Sequence, residues 1–237
     1  MNRNDEILNA DMIEALEKSN GADEQTALGR LYYEGRYLTQ DYKKARECFE
    51  RALEKDPDFA EALDYLGYCH YYGREIPVDY ETALACFEKS AEQGDRVGLY
   101  KLGDLYRDGK AVRQDRDHAM RLYSMALDHS TDDSPEIPGI CLRIAELLLD
   151  RAQNYLEHPE SVSTELALDA ALNASEILGR SEARCWKLLS QGDPYAHLSL
   201  PGIKNQIDRS RIILGQMCES CNSRVFYPNA PGETKSE

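Results

Sequence analysis

An eight-residue phrase occurs three times in the chain. LGRLYYEG (Leu28 to Gly35), LGYCHYYG (Leu66 to Gly73) and LGDLYRDG (Leu102 to Gly109) are separated by 38 and then 36 residues. The register continues downstream. DYKKARECFERAL, DYETALACFEKSA and DRDHAMRLYSMAL begin at Asp41, Asp79 and Asp115, with the same two spacings. A period of this length points to a solenoid, in which each unit buries its apolar side against its neighbours.

Each unit reads as two helices. In the first, apolar positions recur at helical spacing: Leu28, Leu31 and Tyr32, then Leu66, Cys69 and His70, then Leu102, Leu105 and Tyr106. Gly29, Gly67 and Gly103 sit beside that face, where each costs the helix about 1 kcal/mol relative to alanine. Such a cost predicts close approach of a second helix, with Ala45, Ala83 and Ala119 as the facing small residues. Gly35, Gly73 and Gly109 are placed to end the helix in a left-handed residue. Asp41, Asp79 and Asp115 are placed to cap the second helix through its orphan amides. That second helix buries Ala45, Phe49 and Ala52, matched by Ala83, Phe87 and Ala91, and by Ala119, Tyr123 and Ala126.

The pattern L-G-x-x-Y-x-x-G followed by D-Y-x-x-A-x-x-x-F/Y-x-x-A-A-x-x-G-D resembles the Sel-one-like repeat family, relatives of the tetratricopeptide repeat. EKSAEQGD (Glu88 to Asp95) is close to that family's repeat ending. The resemblance covers residues 24 to 130. His70 departs from it, standing where the family has tyrosine, and EKDPDF (Glu54 to Phe59) is more like a tetratricopeptide boundary. The resemblance implies an all-α fold, a right-handed α/α superhelical solenoid of helix-turn-helix repeats. It also implies an adaptor or scaffold that binds a partner protein on its concave face.

The rest of the chain extends the helical reading. Residues 1–20 carry an amphipathic pattern (Ile7, Met12, Ile13, Leu16) expected to cap the three repeats of 21–130. Residues 131–217 read as diverged hairpins closing the solenoid. Helices are expected at 140–156, 164–179, 182–191 and 204–217, with SPEIPG (Ser134 to Gly139) as a turn and GDPYAHLSLPG as a long link. Residues 218–237 read as a C-terminal tail, partly disordered. The whole is expected to form one continuous helical domain.

Charge narrows the partners. The net charge is −15. An acidic chain repels phosphate backbones and anionic lipid, so nucleic acid and membranes are poor partners and a basic protein or peptide a better one. No apolar run is long enough to span a bilayer, and the N-terminal residues lack the apolar core of a signal peptide. A cytoplasmic location is the expectation. The seven cysteines, at 48, 69, 86, 141, 185, 218 and 221, are then free thiols.

The first helices of a hairpin solenoid line its inner face, and the candidate binding residues lie there. Tyr65, Tyr68 and Tyr72 form a stripe in the second repeat. Their equivalents are Ala27, Arg30 and Glu34 in the first repeat and Lys101, Asp104 and Asp108 in the third. Tyr33, Tyr71 and Arg107 occupy one further equivalent position. Arg30, Tyr33, Tyr65, Tyr68, Tyr71, Tyr72, Asp104 and Arg107 are therefore the expected partner contacts, since Tyr and Arg dominate binding hot spots. The competing reading is that these tyrosines pack one repeat on the next.

No catalytic residues, metal ligands or cofactor site are expected. Cys48 and Cys86 share a position with Leu122, which marks a buried apolar site. CESC (Cys218 to Cys221) has zinc-site spacing but lacks a second ligand pair. His70 reads as a core histidine. No nucleophile elbow or phosphate loop is present in the sequence. An alternative is a β-lactam hydrolase of the family's cysteine-rich branch. That branch carries a leader and paired cysteines in every repeat, and neither is expected of this chain. A structural role in an obligate assembly is a third reading.

Overall fold

The computed structural model describes residues 10–131, 134–158, 163–191 and 196–226. All regular structure among them is helical. The helices are α1 (Ala10–Lys18), α2 (Ala22–Glu34), α3 (Tyr42–Lys55), α4 (Ala60–Tyr72), α5 (Tyr80–Glu92), α6 (Arg96–Asp108), α7 (Arg116–Asp128), α8 (Ile137–Glu157), α9 (Thr164–Ser190) and α10 (Ala196–Phe226). They fall into two compact units, Met1–Ser134 and Pro135–Glu237.

The first unit is an α/α solenoid. Its hairpins are α2–α3, α4–α5 and α6–α7, with α1 packed on α2. Gly35, Gly73 and Gly109 close the first helices at φ 66°, 63° and 68°, the left-handed region that suits glycine. The Asp41, Asp79 and Asp115 side chains each accept from amides of the second helix they precede. Both expectations therefore hold at every repeat.

The mid-helix glycines face something other than the expected alanines. A Cβ at Gly29 would lie 2.5 Å from the Phe49 ring, at Gly67 2.6 Å from Phe87, and at Gly103 2.6 Å from Tyr123. Glycine is needed because a flat aromatic ring of the second helix lies on that surface. Ala45, Ala83 and Ala119 are buried without filling that role. The close backbone approach occurs elsewhere, at Gly98, whose Cβ would meet the Ala91 amide at 2.7 Å.

The second unit packs α8, α9 and α10 around Leu149, Leu178, Ile203, Ile213 and Met217. Three boundaries differ from the sequence reading. The expected turn at 134–139 overlaps the start of α8, where Pro138 occupies the first turn, which needs no amide. The segments 164–179 and 182–191 are one helix, α9, which runs through Gly179. Its buried stripe of Ala167, Ala171, Ala174, Leu178, Ser181, Cys185 and Leu188 is unbroken there, and that burial outweighs the glycine cost. Finally, α10 begins before Pro201 and continues past Cys218 to Phe226, so 218–226 is helical. Residues 227–237 of the expected tail, and Ile7 of the expected cap, lie outside the described residues. Among the described residues, no helix is long and apolar enough to cross a membrane.

Candidate functional site

The first helices touch across repeats, α2 with α4 and α4 with α6, whereas α3, α5 and α7 make no contact of that extent with one another among the described residues. The row of first helices is thus the inner, tighter row, and α4 lies at its middle.

A chain of tyrosine rings runs along this row. Tyr33 of α2 meets Tyr65 of α4 edge-on at 5.4 Å, Tyr65 meets Tyr68 at 6.0 Å, and Tyr68 lies 6.1 Å from Tyr72. Tyr71 meets Tyr72 at 4.9 Å. The same rings also dock the repeats on one another. Tyr65 stacks on Phe49 of the preceding hairpin, 5.1 Å away with planes 12° apart. The Tyr68 hydroxyl is 2.7 Å from that of Tyr100 in the next repeat. Burial pushes the Tyr33 phenol up to about 12, against the pull of the Arg74 guanidinium.

Cations complete the arrangement. Lys101, itself buried, places its ammonium 5.1–5.3 Å from the rings of Tyr68, Tyr71, Tyr72 and Tyr100. It donates to the Tyr72 hydroxyl at 2.7 Å and pairs with Asp104 at 3.4 Å. The Asp104 carboxylate also accepts from the Tyr123 hydroxyl at 2.9 Å and lies 3.8 Å from Arg107. A charge this deep is tolerated because ring faces and a hydrogen-bonded carboxylate replace its water.

The residue after each left-handed glycine is also a cation: Arg36, Arg74 and Lys110. Two of these reach back one repeat in the same way. Arg74 lies 5.0 Å over Tyr42 and interacts with the Tyr33 hydroxyl. Lys110 lies 5.0 Å over Tyr80 and donates to the Tyr71 hydroxyl at 3.1 Å. Tyr33–Tyr42 and Tyr71–Tyr80 are equivalent edge-on pairs, at 5.2 and 5.4 Å. In the third repeat the corresponding residues are Arg107 and Arg116, so the pair ends there.

The expected binding residues therefore divide. Tyr72 is 45% exposed, and Arg30 is exposed and paired with Glu61 at 3.1 Å. Tyr33, Tyr65, Tyr68 and Arg107 are half-buried. Tyr71 and Asp104 are buried. Arg74, Lys101 and Lys110 were not among the expected contacts. Their signal was in the sequence, as a cation following each repeat's terminal glycine and as a lysine at the position of Tyr65.

The remaining candidates have structural surroundings. Cys48 and Cys86 are buried, as is Leu122. His70 is half-buried, its pKa lowered by that burial, and its buried Nδ1 has no hydrogen bond. Cys218 is exposed on α10, and the Cys221 side chain lies outside those described. No cluster of His, Cys, Asp or Glu able to hold a metal ion is found among the described residues.

Comparison with known proteins agrees with this architecture. The Sel1 repeat family matches residues 25–57, 60–95 and 97–130. A Sel1 repeat protein from Oxalobacter formigenes superimposes with a TM-score of 0.50 at 19% identity, over 85% of this chain and 78% of that one. The protective antigen c5321 of uropathogenic Escherichia coli, which displays an SLR fold, gives a TM-score of 0.48 at 18% identity, over 96% of this chain and 60% of that one. At 19% identity the likeness to the Oxalobacter protein is one of fold. No curated protein matches the sequence. The hairpins α2–α3, α4–α5 and α6–α7 are thus three consecutive Sel1 repeats.

Proposed function

We propose that the first unit is an interaction scaffold that holds a partner protein or peptide on the inner face formed by α2, α4 and α6. The observation that supports this most is Tyr72. A large aromatic ring, 45% exposed at the middle of the inner row, is held rigid by Lys101 and by its neighbours Tyr68 and Tyr71. A pre-oriented tyrosine loses little conformational entropy on binding, which suits a hot spot. Arg30 and Glu61 flank the row on its exposed side. A basic partner gains further from the −15 net charge, chiefly in association rate.

The test is affinity capture from the source cells with the wild-type chain, with Tyr72→Ala/Arg30→Glu, and with Lys43→Glu on the outer side of α3. Melting curves establish that each variant is folded. A protein retained by wild type and Lys43→Glu but lost by the inner-face variant supports the proposal. Equal capture by all three, or capture by none, overturns it.

A further inference from the structure

Helix α9 buries the stripe from Ala167 to Leu188 against α8 and α10 and presents its other side to solvent. That side is not uniformly polar. Leu172 is 50% exposed, and Trp186, the one tryptophan of the sequence, is 53% exposed. They stand seven residues before and seven residues after Gly179. Seven residues are two helical turns, so all three share a face. Glu176 and Ala183, also exposed, occupy the turns between them.

The ring of Trp186 is held in place. The Lys204 ammonium of α10 lies 5.4 Å from its centroid. An exposed tryptophan that is already oriented suits an interface, because little freedom is lost when it docks. Gly179 fits the same role. A Cβ added there would meet no atom within 4 Å among the described residues. Unlike Gly29, Gly67 and Gly103, it therefore makes room for no ring of this chain. A glycine inside a helix weakens it, and a second backbone approaching closely is what such a glycine permits.

The charges on this face divide at Gly179. Glu165, Asp169 and Glu176 precede it, Arg180 and Lys187 follow it, and all are exposed. Glu182 and Arg184, further on, are half-buried and opposite in sign. Lys204 adds a positive charge beside Trp186. A face that is acidic at one end and basic at the other complements its own reverse. Laid antiparallel on a copy of itself about Gly179, it sets Trp186 of each copy against Leu172 of the other. Arg180 then lies alongside Glu176 of the second copy, and Lys187 alongside Asp169. A parallel arrangement would set like charges opposite each other, which is costly. A two-fold pair of this kind also closes on itself and leaves no face to propagate.

We infer that the exposed face of α9 is a dimerisation surface whose occupant is a second copy of this chain, crossing antiparallel at Gly179. Glu176 and Arg180 already pair within the helix at 2.6 Å, both well exposed, and stand at the centre of the crossing. A single helix face is smaller than the roughly 800 Å² per partner of a standard interface, so the dimer forms at micromolar concentrations.

The test is sedimentation velocity of the full chain, with its thiols kept reduced, from about 5 to about 200 µM. The wild type should pass from monomer to dimer across this range. Trp186 emission should move to shorter wavelength as the ring leaves water. Gly179→Gln gains a better helix former in open space, so it remains folded, yet it should need at least about tenfold more protein to dimerise. Arg180→Glu should weaken association, and Glu176→Arg/Arg180→Glu, which restores opposite charges in the reversed sense, should recover it. A wild type that stays monomeric throughout overturns the inference. So does a Gly179→Gln variant that dimerises as the wild type does, or a double variant that associates no better than Arg180→Glu.

Discussion

The Lys101 ammonium of the third repeat donates to the Tyr72 hydroxyl of the second at 2.7 Å, and the same ammonium pairs with Asp104. One buried cation thus orients the exposed tyrosine and neutralises the buried carboxylate. Replacing Lys101 by Met should destabilise the chain by about 3 kcal/mol, because Asp104 loses its closest charge partner. The double variant Lys101→Met/Asp104→Leu should recover most of that loss. Urea unfolding of the two variants checks it, and equal losses in both would show that the pair is not the source.

The Phe87 ring is fully buried against Gly67, where an added Cβ would stand 2.6 Å from its edge. Gly67→Ala should therefore cost about 1–3 kcal/mol through overpacking, although alanine is the better helix former. Phe87→Leu in the same chain should relieve part of this, giving a non-additive pair in a double-mutant cycle. A stabilised Gly67→Ala would mean that the ring yields and propensity wins.

Asp79 carries a pH signature set by its capping bonds. Its side chain accepts from the Thr82 hydroxyl at 2.6 Å and from the amides of Thr82 and Glu81. Those bonds, the Thr82 hydroxyl first, hold its carboxyl below the ordinary value. Its contribution is present above about pH 4 and is lost as pH falls through the folded value. Asp79→Asn keeps a capping oxygen but cannot titrate. The stability gap between wild type and variant should shrink on acidification. Urea midpoints at a series of acidic pH values measure it, and parallel curves would refute the assignment.

Thiol reactivity should separate the cysteines. Burial pushes Cys86 and Cys141 up to about 11 and Cys69 up to about 12, while Cys218 is exposed. In a pulse of iodoacetamide on the native chain, Cys218 should be labelled roughly a hundredfold faster than those three. Mass spectrometry of the peptides reads this out. Equal labelling of Cys86 would show that the second hairpin opens far more readily than its packing implies.

What could be read beforehand followed from interactions within a few residues. The left-handed glycines and the capping aspartates needed only the chain's own backbone. The same method misjudged the partners of Gly29, Gly67 and Gly103. Small residues opposite glycines are a reasonable pairing by register, but side-chain direction from α3, α5 and α7 places an aromatic ring there instead. It also stopped a helix at Gly179 and began one after Pro201, where a continuous buried stripe, in α9, carries the helix through.

The sequence by itself determined the period, the two helices of each repeat, and where they start and stop, because those features depend on neighbours one helical turn away. Only the tertiary structure decided which tyrosines turn inward and that Lys101 fills the space between four of them. Lys101 and Tyr72 stand 29 positions apart in the chain. The energies of such contacts come from removing charge from water, a cost that exists only once the repeats have stacked.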